Sequence, residues 1–259
     1  MGDWRLVLPP SRPSEAHLRL VDEVCSRLPR TARVAILGST PEYRELLYRR
    51  GFESIYVFER NLDFFQFSSN LAQVSPEEIL VEGDWLDTLS DFRNHFDAVF
   101  SHLTSGNISY DSREHYYQLI AQSLRSSGQF ADFVLTNETG YFKRDDILEN
   151  FLDTPVNIVT ANEFSCHAVF CSEYAETLGV VDTEQIYDAL HRDLPARIHP
   201  LIELAQSVTP RGGLWYYGKP WSEIVLYHSE WLDVSRSVLE QTGSYYCGRA
   251  RHNIMTKKK

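Results

Sequence analysis

Between residues 33 and 135 the chain alternates short apolar runs with helix-length segments, and this alternation restricts the fold more than any other feature. The runs are Arg33–Leu37, Ser54–Phe58, Glu78–Val81, Phe96–Phe100 and Gln129–Leu135. Each is short enough and apolar enough for a strand buried on both faces. The intervening segments carry helix signals. Thr40 stands at an N-cap position, Pro41 at the first helical position, Glu42 where the helix dipole favours an anion, and Gly51 at a left-handed stop. Helices are expected at 17–28, from Pro41 to Gly51, at 62–73 and at 113–125, the last ended by Ser127-Gly128. Strands joined by crossover helices predict an α/β, Rossmann-like, doubly wound and mostly parallel sheet.

Beyond residue 136 the alternation fades. Residues 141–210 read as mainly helical, from Phe142, Ile147, Leu148 and Phe151 and then from Ile186 to Leu204. Two further strands are expected at 222–227 and 244–249, with a helix at 230–241 between them. The expected organisation is a leader and helix at 1–30 over the ligand site, a ligand-binding core at 31–136, a helical insertion or cap facing substrate at 137–215, and strands and a helix at 216–259 completing the sheet.

A formal net charge of −11 argues against a broad nucleic-acid footprint, which needs clustered Lys and Arg. Lys257-Lys258-Lys259 is a basic run at a terminus. No apolar run approaches the roughly 18–20 residues of a membrane span, and the opening MGDWRLVLPPSRPSE is too broken by proline and charge for a signal peptide. Cys25, Cys166, Cys171 and Cys247 fit no common zinc spacing, and Cys166, His167 and Cys171 fall short of a ligand set, so no metal is expected. Reduced thiols are consistent with a cytoplasmic protein.

Open α/β sheets bind ligands beyond the carboxyl ends of their strands. There the chain places Gly38-Ser39-Thr40-Pro41, Glu59, Asp84-Trp85 and Ser101-His102. Each has an ordinary structural explanation as a turn or strand end. Their joint occurrence at strand ends of one sheet points to a site. Glu59 lies about 20 residues after Gly38, where a carboxylate accepts from a ribose diol. NAD would suit this feature equally, but a dinucleotide needs Gly-x-Gly-x-x-Gly at the first turn. The turn here has one glycine followed by Pro41, Glu42 and Tyr43, and Glu42 would repel a pyrophosphate. S-adenosylmethionine carries no phosphate and tolerates this turn. Asp84 can accept from its adenine amino group, and Trp85 can cover the ring.

The segment from Val34 to Arg44, containing Leu37-Gly-Ser-Thr-Pro-Glu42, resembles the first motif of a subgroup of class I S-adenosylmethionine-dependent methyltransferases. Gly83-Asp84-Trp85, Phe96-Asp97, Leu124 through Gly128 and the leader Leu8 to Ser14 are similar to other segments of that subgroup, so the likeness covers about residues 8–136. It implies that Gly38, Ser39, Thr40 and Pro41 line the methionine moiety. It places Glu59, with Arg60 beside it, at the ribose, Asp84 and Trp85 at the adenine, and Ser101 and His102 toward the sulfonium. Arg12 is a candidate partner for the cofactor carboxylate. The chain departs from the broader class at Ala35 and Ile36, where an acidic residue often stands.

Such an enzyme transfers methyl in line from the sulfonium, releasing S-adenosylhomocysteine, and needs chiefly to hold acceptor and methyl in register. His102 is the candidate general base where the acceptor must lose a proton. The Asn-Pro-Pro-Tyr type of motif is absent at Ser101–Asn107, which disfavours nucleobase or amide acceptors. Tyr110, His115, Trp215, Tyr216, Tyr217 and Trp221 are candidate acceptor-lining groups. A small-molecule substrate is expected in preference to protein or nucleic acid, with no membrane partner; the sequence sets no oligomeric state. Two alternatives stand: a non-catalytic methyltransferase-like protein serving as ligand sensor or partner subunit, and a nicotinamide-dependent oxidoreductase.

Overall fold

The computed structural model describes residues 12–72, 77–108, 110–135, 143–169, 183–208, 235–247 and 250–258. The chain divides into two compact units, one of 13–135 with 228–259 and the other of 1–12 with 136–227.

The first unit is built on a seven-stranded sheet of order β3-β2-β1-β4-β5-β7-β6. The strands are β1 (Arg33–Leu37), β2 (Ser54–Glu59), β3 (Ile79–Glu82), β4 (Phe96–His102), β5 (Leu124–Leu135), β6 (Leu239–Cys247) and β7 (Ala250–Lys257). β1 to β5 pair in parallel, and β7 enters antiparallel between β5 and β6. Helix α1 (Glu15–Ser26) precedes β1, and α2 (Pro41–Arg50), α3 (Leu62–Ala72), α4 (Trp85–Thr88) and α5 (Arg113–Ser123) lie in the connections between β1 and β5. The α/β, mostly parallel, Rossmann-like expectation holds.

Side-chain periodicity explains the layers. Val34, Ile36, Val57, Ala98 and Phe100 form one face and pack with Val21, Val24, Tyr43 and Leu47 from α1 and α2. The Val, Ile, Leu and Phe side chains among them each contribute about 1.5–3 kcal/mol on full burial. Ser14 caps α1, accepting from the His17 backbone N–H at 3.2 Å. Pro41 opens α2 and Gly51 ends it in the left-handed region, as expected, but the Thr40 side chain makes no capping bond.

The chain leaves α5 at Ser123, two residues before the expected end, because Leu124 pairs with Phe96 as strand. Near the C-terminus the difference is larger. The expected helix at 230–241 is overtaken by β6 from Leu239, and β7 was not foreseen. The expected strand at 222–227 lies outside the described residues.

The second unit contains α6 (Arg144–Phe151), α7 (Ile158–Val169), α8 (Thr183–Asp193) and α9 (His199–Val208), matching the helical reading. Ile147, Phe151, Phe164, Ile186, Leu190 and Ile202 are buried in it. Among the described residues no helix is long and apolar enough to cross a membrane.

Candidate functional site

Parallel pairing in the order β3-β2-β1-β4 aligns the carboxyl ends of four strands into one rim. Leu37 pairs with Phe58 and Ser101, and Glu59 pairs with Glu82. Gly38 follows β1 at φ 81°, a conformation that costs other residues about 1–2 kcal/mol. Its N–H donates to the Phe58 carbonyl at 2.8 Å, and the Trp85 indole donates to the same oxygen at 3.3 Å. Trp85 is therefore a buried wall beside the first turn, 6% exposed.

Glu59 is held by donors of its own chain. It is 2% exposed. One carboxylate oxygen accepts from the Ser39 N–H at 3.1 Å and the Ser39 hydroxyl at 3.0 Å, and the other accepts from the Asn61 N–H at 2.9 Å. Burial raises its pKa, against the lowering effect of these donors. A ribose diol reaching Glu59 would replace or share the Ser39 donors. Ser39 is itself fully buried, and Thr40 and Pro41 are buried with it at the start of α2.

Asp84 stands at the N-cap of α4, accepting from the Leu86 N–H at 3.0 Å, and takes Arg60 at 2.8 Å on its other oxygen. Both side chains of the pair are about one-third exposed. A carboxylate offers about four lone-pair sites, so Asp84 can accept a further N–H donor. The preceding Gly83, at φ 141°, has Thr88 so close that a β-carbon would sit 2.7 Å from its methyl group.

Successive strand residues point to opposite faces, and this separates Ser101 from His102. His102 is half-buried on the α1 side, stacked on Phe133 at 4.9 Å and 4° with the His17 ring 5.4 Å away. Tyr43 stands edge-on to it at 5.9 Å. These contacts fix the orientation of the imidazole. Ser101 is fully buried on the α5 side, beside Asp132. Ser101 and His102 therefore project from opposite faces of the sheet.

The loop after His102 is tightly held. Leu103 has φ 59°, unusual for a side-chain-bearing residue. Its N–H donates to the Phe133 carbonyl at 2.8 Å, and the Thr104 hydroxyl donates to the Leu37 carbonyl at 3.0 Å.

The sheet thus brings together Gly38, Ser39, Thr40, Pro41, Glu59, Arg60, Asp84, Trp85 and His102. His115 is exposed on α5. Arg12 falls in the other unit. Tyr110 lies in a short 3-10 turn whose side chain is outside the described set, as are Trp215, Tyr216, Tyr217 and Trp221. Among the described residues no group of three His, Cys, Asp or Glu is placed to hold a metal. Burial raises the Cys25 thiol to about 12, so it is inert as a nucleophile at neutral pH.

Sequence reasoning passed over His17, whose Nε2 is 2.7 Å from the Tyr43 hydroxyl, and Asp132. Both left a signal. His17 lies on the buried stripe of α1 with Val21 and Val24, and Asp132 is a lone acid inside the apolar run from Phe130 to Leu135.

No family model and no curated protein matches this chain. Solved structures share its fold at low identity. The PH0226 protein of Pyrococcus horikoshii OT3 aligns over 100% of both chains with a TM-score of 0.56 and 11% identity. A putative Zn-dependent alcohol dehydrogenase from Rhodobacter sphaeroides aligns over 96% of this chain and 92% of its own, with a TM-score of 0.55 and 15% identity. The 1,6-didemethyltoxoflavin-N1-methyltransferase of Burkholderia thailandensis, solved with 1,6-didemethyltoxoflavin and S-adenosylhomocysteine, aligns over 95% and 80%, with a TM-score of 0.52 and 12% identity. The fold is one that S-adenosylmethionine-dependent methyltransferases use.

Proposed function

We propose that the rim formed by β1 to β4 binds S-adenosylmethionine and that the protein is a methyltransferase acting on a small molecule. The observation that carries this reading is the first turn. Gly38 is followed by buried Ser39, Thr40 and Pro41 and then by Glu42 in the first turn of α2. This arrangement disfavours a pyrophosphate at the helix N-terminus and leaves the turn suited to a nucleoside without phosphate. Sheet order supports the same choice. Dinucleotide folds typically run 3-2-1-4-5-6, whereas this sheet ends 5-7-6 with an antiparallel β7. The Burkholderia thailandensis neighbour, whose structure contains S-adenosylhomocysteine, is a further support.

The residues present fit the cofactor. Asp84 would accept from the adenine amino group, the Glu59–Ser39 pair would meet the ribose, and the turn at Gly38 would line the methionine portion. The bound sulfonium supplies an activated methyl group. The chain supplies alignment, and His102, oriented by Phe133 and Tyr43, supplies a base for an acceptor that must lose a proton. A net charge of −11 favours a small acceptor over nucleic acid.

The test is calorimetric titration of S-adenosylmethionine and S-adenosylhomocysteine into wild type and Asp84→Ala. Binding on the order of micromolar that weakens at least about tenfold in the variant is expected, since a bond to a charged acceptor is lost. A folded wild-type protein that binds neither ligand overturns the proposal.

A further inference from the structure

Glu59 and Ser39 meet inside the rim, and both side chains are sealed from solvent. On one carboxylate oxygen, Oε2, Glu59 accepts from both the Ser39 N–H at 3.1 Å and the Ser39 hydroxyl at 3.0 Å. On Oε1 it accepts from the Asn61 N–H at 2.9 Å. A carboxylate oxygen has two lone pairs, so Ser39 alone fills Oε2. The cation next in sequence is turned elsewhere: Arg60 pairs with Asp84 at 2.8 Å.

These donors differ in how firmly they are fixed. Two are backbone groups. On either side of Ser39 the chain is held by the Gly38 N–H on the Phe58 carbonyl at 2.8 Å and by the Arg44 N–H on the Thr40 carbonyl at 3.2 Å. Asn61 is tied to α3, its side-chain oxygen accepting from the Phe64 N–H at 3.1 Å. The Ser39 hydroxyl, by contrast, turns about a single torsion with three staggered wells. It is the movable donor of this set, and a ligand hydroxyl reaches Oε2 by displacing it.

We propose that Ser39 sets how the rim reads a ribose: its hydroxyl holds the place on Glu59 that one hydroxyl of the diol takes. This rests on the proposed nucleoside site. The contact is then an exchange, one hydroxyl-to-carboxylate bond for another, and the displaced Ser39 oxygen can accept from the hydroxyl that replaced it. A ligand lacking that hydroxyl leaves the Ser39 bond in place and loses little. Without the Ser39 hydroxyl, Oε2 is a buried acceptor short of a donor, and only the ligand can complete it. The native site therefore tolerates a nucleoside that lacks one particular ribose hydroxyl, and a chain without the Ser39 hydroxyl rejects it.

The test is calorimetry of S-adenosylhomocysteine and its 2′-deoxy and 3′-deoxy forms with wild type, Ser39→Ala and Ser39→Gly. In wild type, one deoxy form is expected to bind within about threefold of the parent ligand, because the exchange is nearly balanced. In both variants the same form is expected to fall at least about tenfold below the parent, through the missing bond to a charged acceptor. A substitution that merely loosens the turn weakens all three ligands alike; unchanged ratios in folded variants overturn the proposal. So does a wild type in which both deoxy forms already bind about tenfold or more weakly than the parent. That arm needs no variant and decides the matter if both substitutions unfold the chain. In either case binding of the parent ligand by wild type leaves the cofactor reading standing. Folded wild type and variants that bind none of the three ligands overturn both.

Discussion

Asp97 at one end of the sheet and Glu59 and Asp132 toward the other are satisfied in opposite ways. At the amino end, Asp97 accepts from the Arg33 backbone N–H at 2.8 Å and from the Arg125 guanidinium at 2.9 Å, in a partly solvated setting. His95 beside it is 3.0 Å from the Tyr56 hydroxyl, and burial, then the Arg33 charge, lower its pKa. Toward the carboxyl end, Glu59 and Asp132 are buried and meet hydroxyls and backbone N–H groups instead of a cation. Burial raises both of their pKa values. Positive backbone angles occur at both ends, at Gly38, Gly83 and Leu103 after strands and at Gly51 and Asn94 before them. Buried acids with raised pKa values thus lie toward the end of the sheet where the candidate site is, and buried groups with shifted pKa values are common at functional sites.

The largest test of this contrast is Asp132→Asn. The folded state of the wild type keeps its proton to about pH 7, whereas an unfolded aspartate loses it near 3.8. Wild-type stability should therefore fall, relative to the variant, as pH rises from about 4 to about 7 and stay at that deficit above. The full difference is on the order of 4 kcal/mol, read from urea unfolding across pH. Equal pH profiles would remove Asp132 from the contrast.

Gly83→Ala comes next. Its φ of 141° and the 2.7 Å approach to the Thr88 methyl should together cost about 3 kcal/mol, measured by denaturant unfolding. An unchanged midpoint would show that the end of β3 is relaxed. At the opposite end, Asp97→Ala should cost about 1–2 kcal/mol through its lost charge-assisted bonds and leave S-adenosylhomocysteine affinity unaltered. A loss of affinity there would blur the two ends. The smallest stability effect belongs to Arg60→Met, whose partly exposed pair with Asp84 is worth less than about 1 kcal/mol. That variant should nonetheless alter donor affinity in calorimetry, since it frees the Asp84 carboxylate.

The parallel half of the fold was legible because each strand was a continuous apolar run and α2 carried Pro41 and Gly51 at its ends. Of the C-terminal hairpin only the strand expected at 244–249 was legible, overlapping the end of β6 at Cys247; β7 was not. Gln241, Thr242, Gly243, Ser244 and the flanking Arg and His of β7 lack the apolar run that announced the earlier strands, and pairing with β5 decides their conformation. The rim residues were placed at strand ends by periodicity alone. Their orientations were not legible, because a sequence does not reveal that Ser39 will occupy Glu59 or that the pleat turns Ser101 away from His102. Asp132 and His17 needed a different question, namely why a polar group stands on an apolar stripe.

The position of β7 also governs how the chain is made. β5 ends at Leu135, yet the strand that covers its outer edge begins at Ala250. At ribosomal speeds of about 5–20 residues per second, β5 waits on the order of ten seconds with that edge open. An apolar strand such as Phe130 to Leu135 is then a template for the wrong partner. Closing so long a loop also raises contact order and slows folding. Completion of the sheet is thus a late event in the life of the nascent chain, and until then the outer edge of β5 lacks the strand that pairs with it.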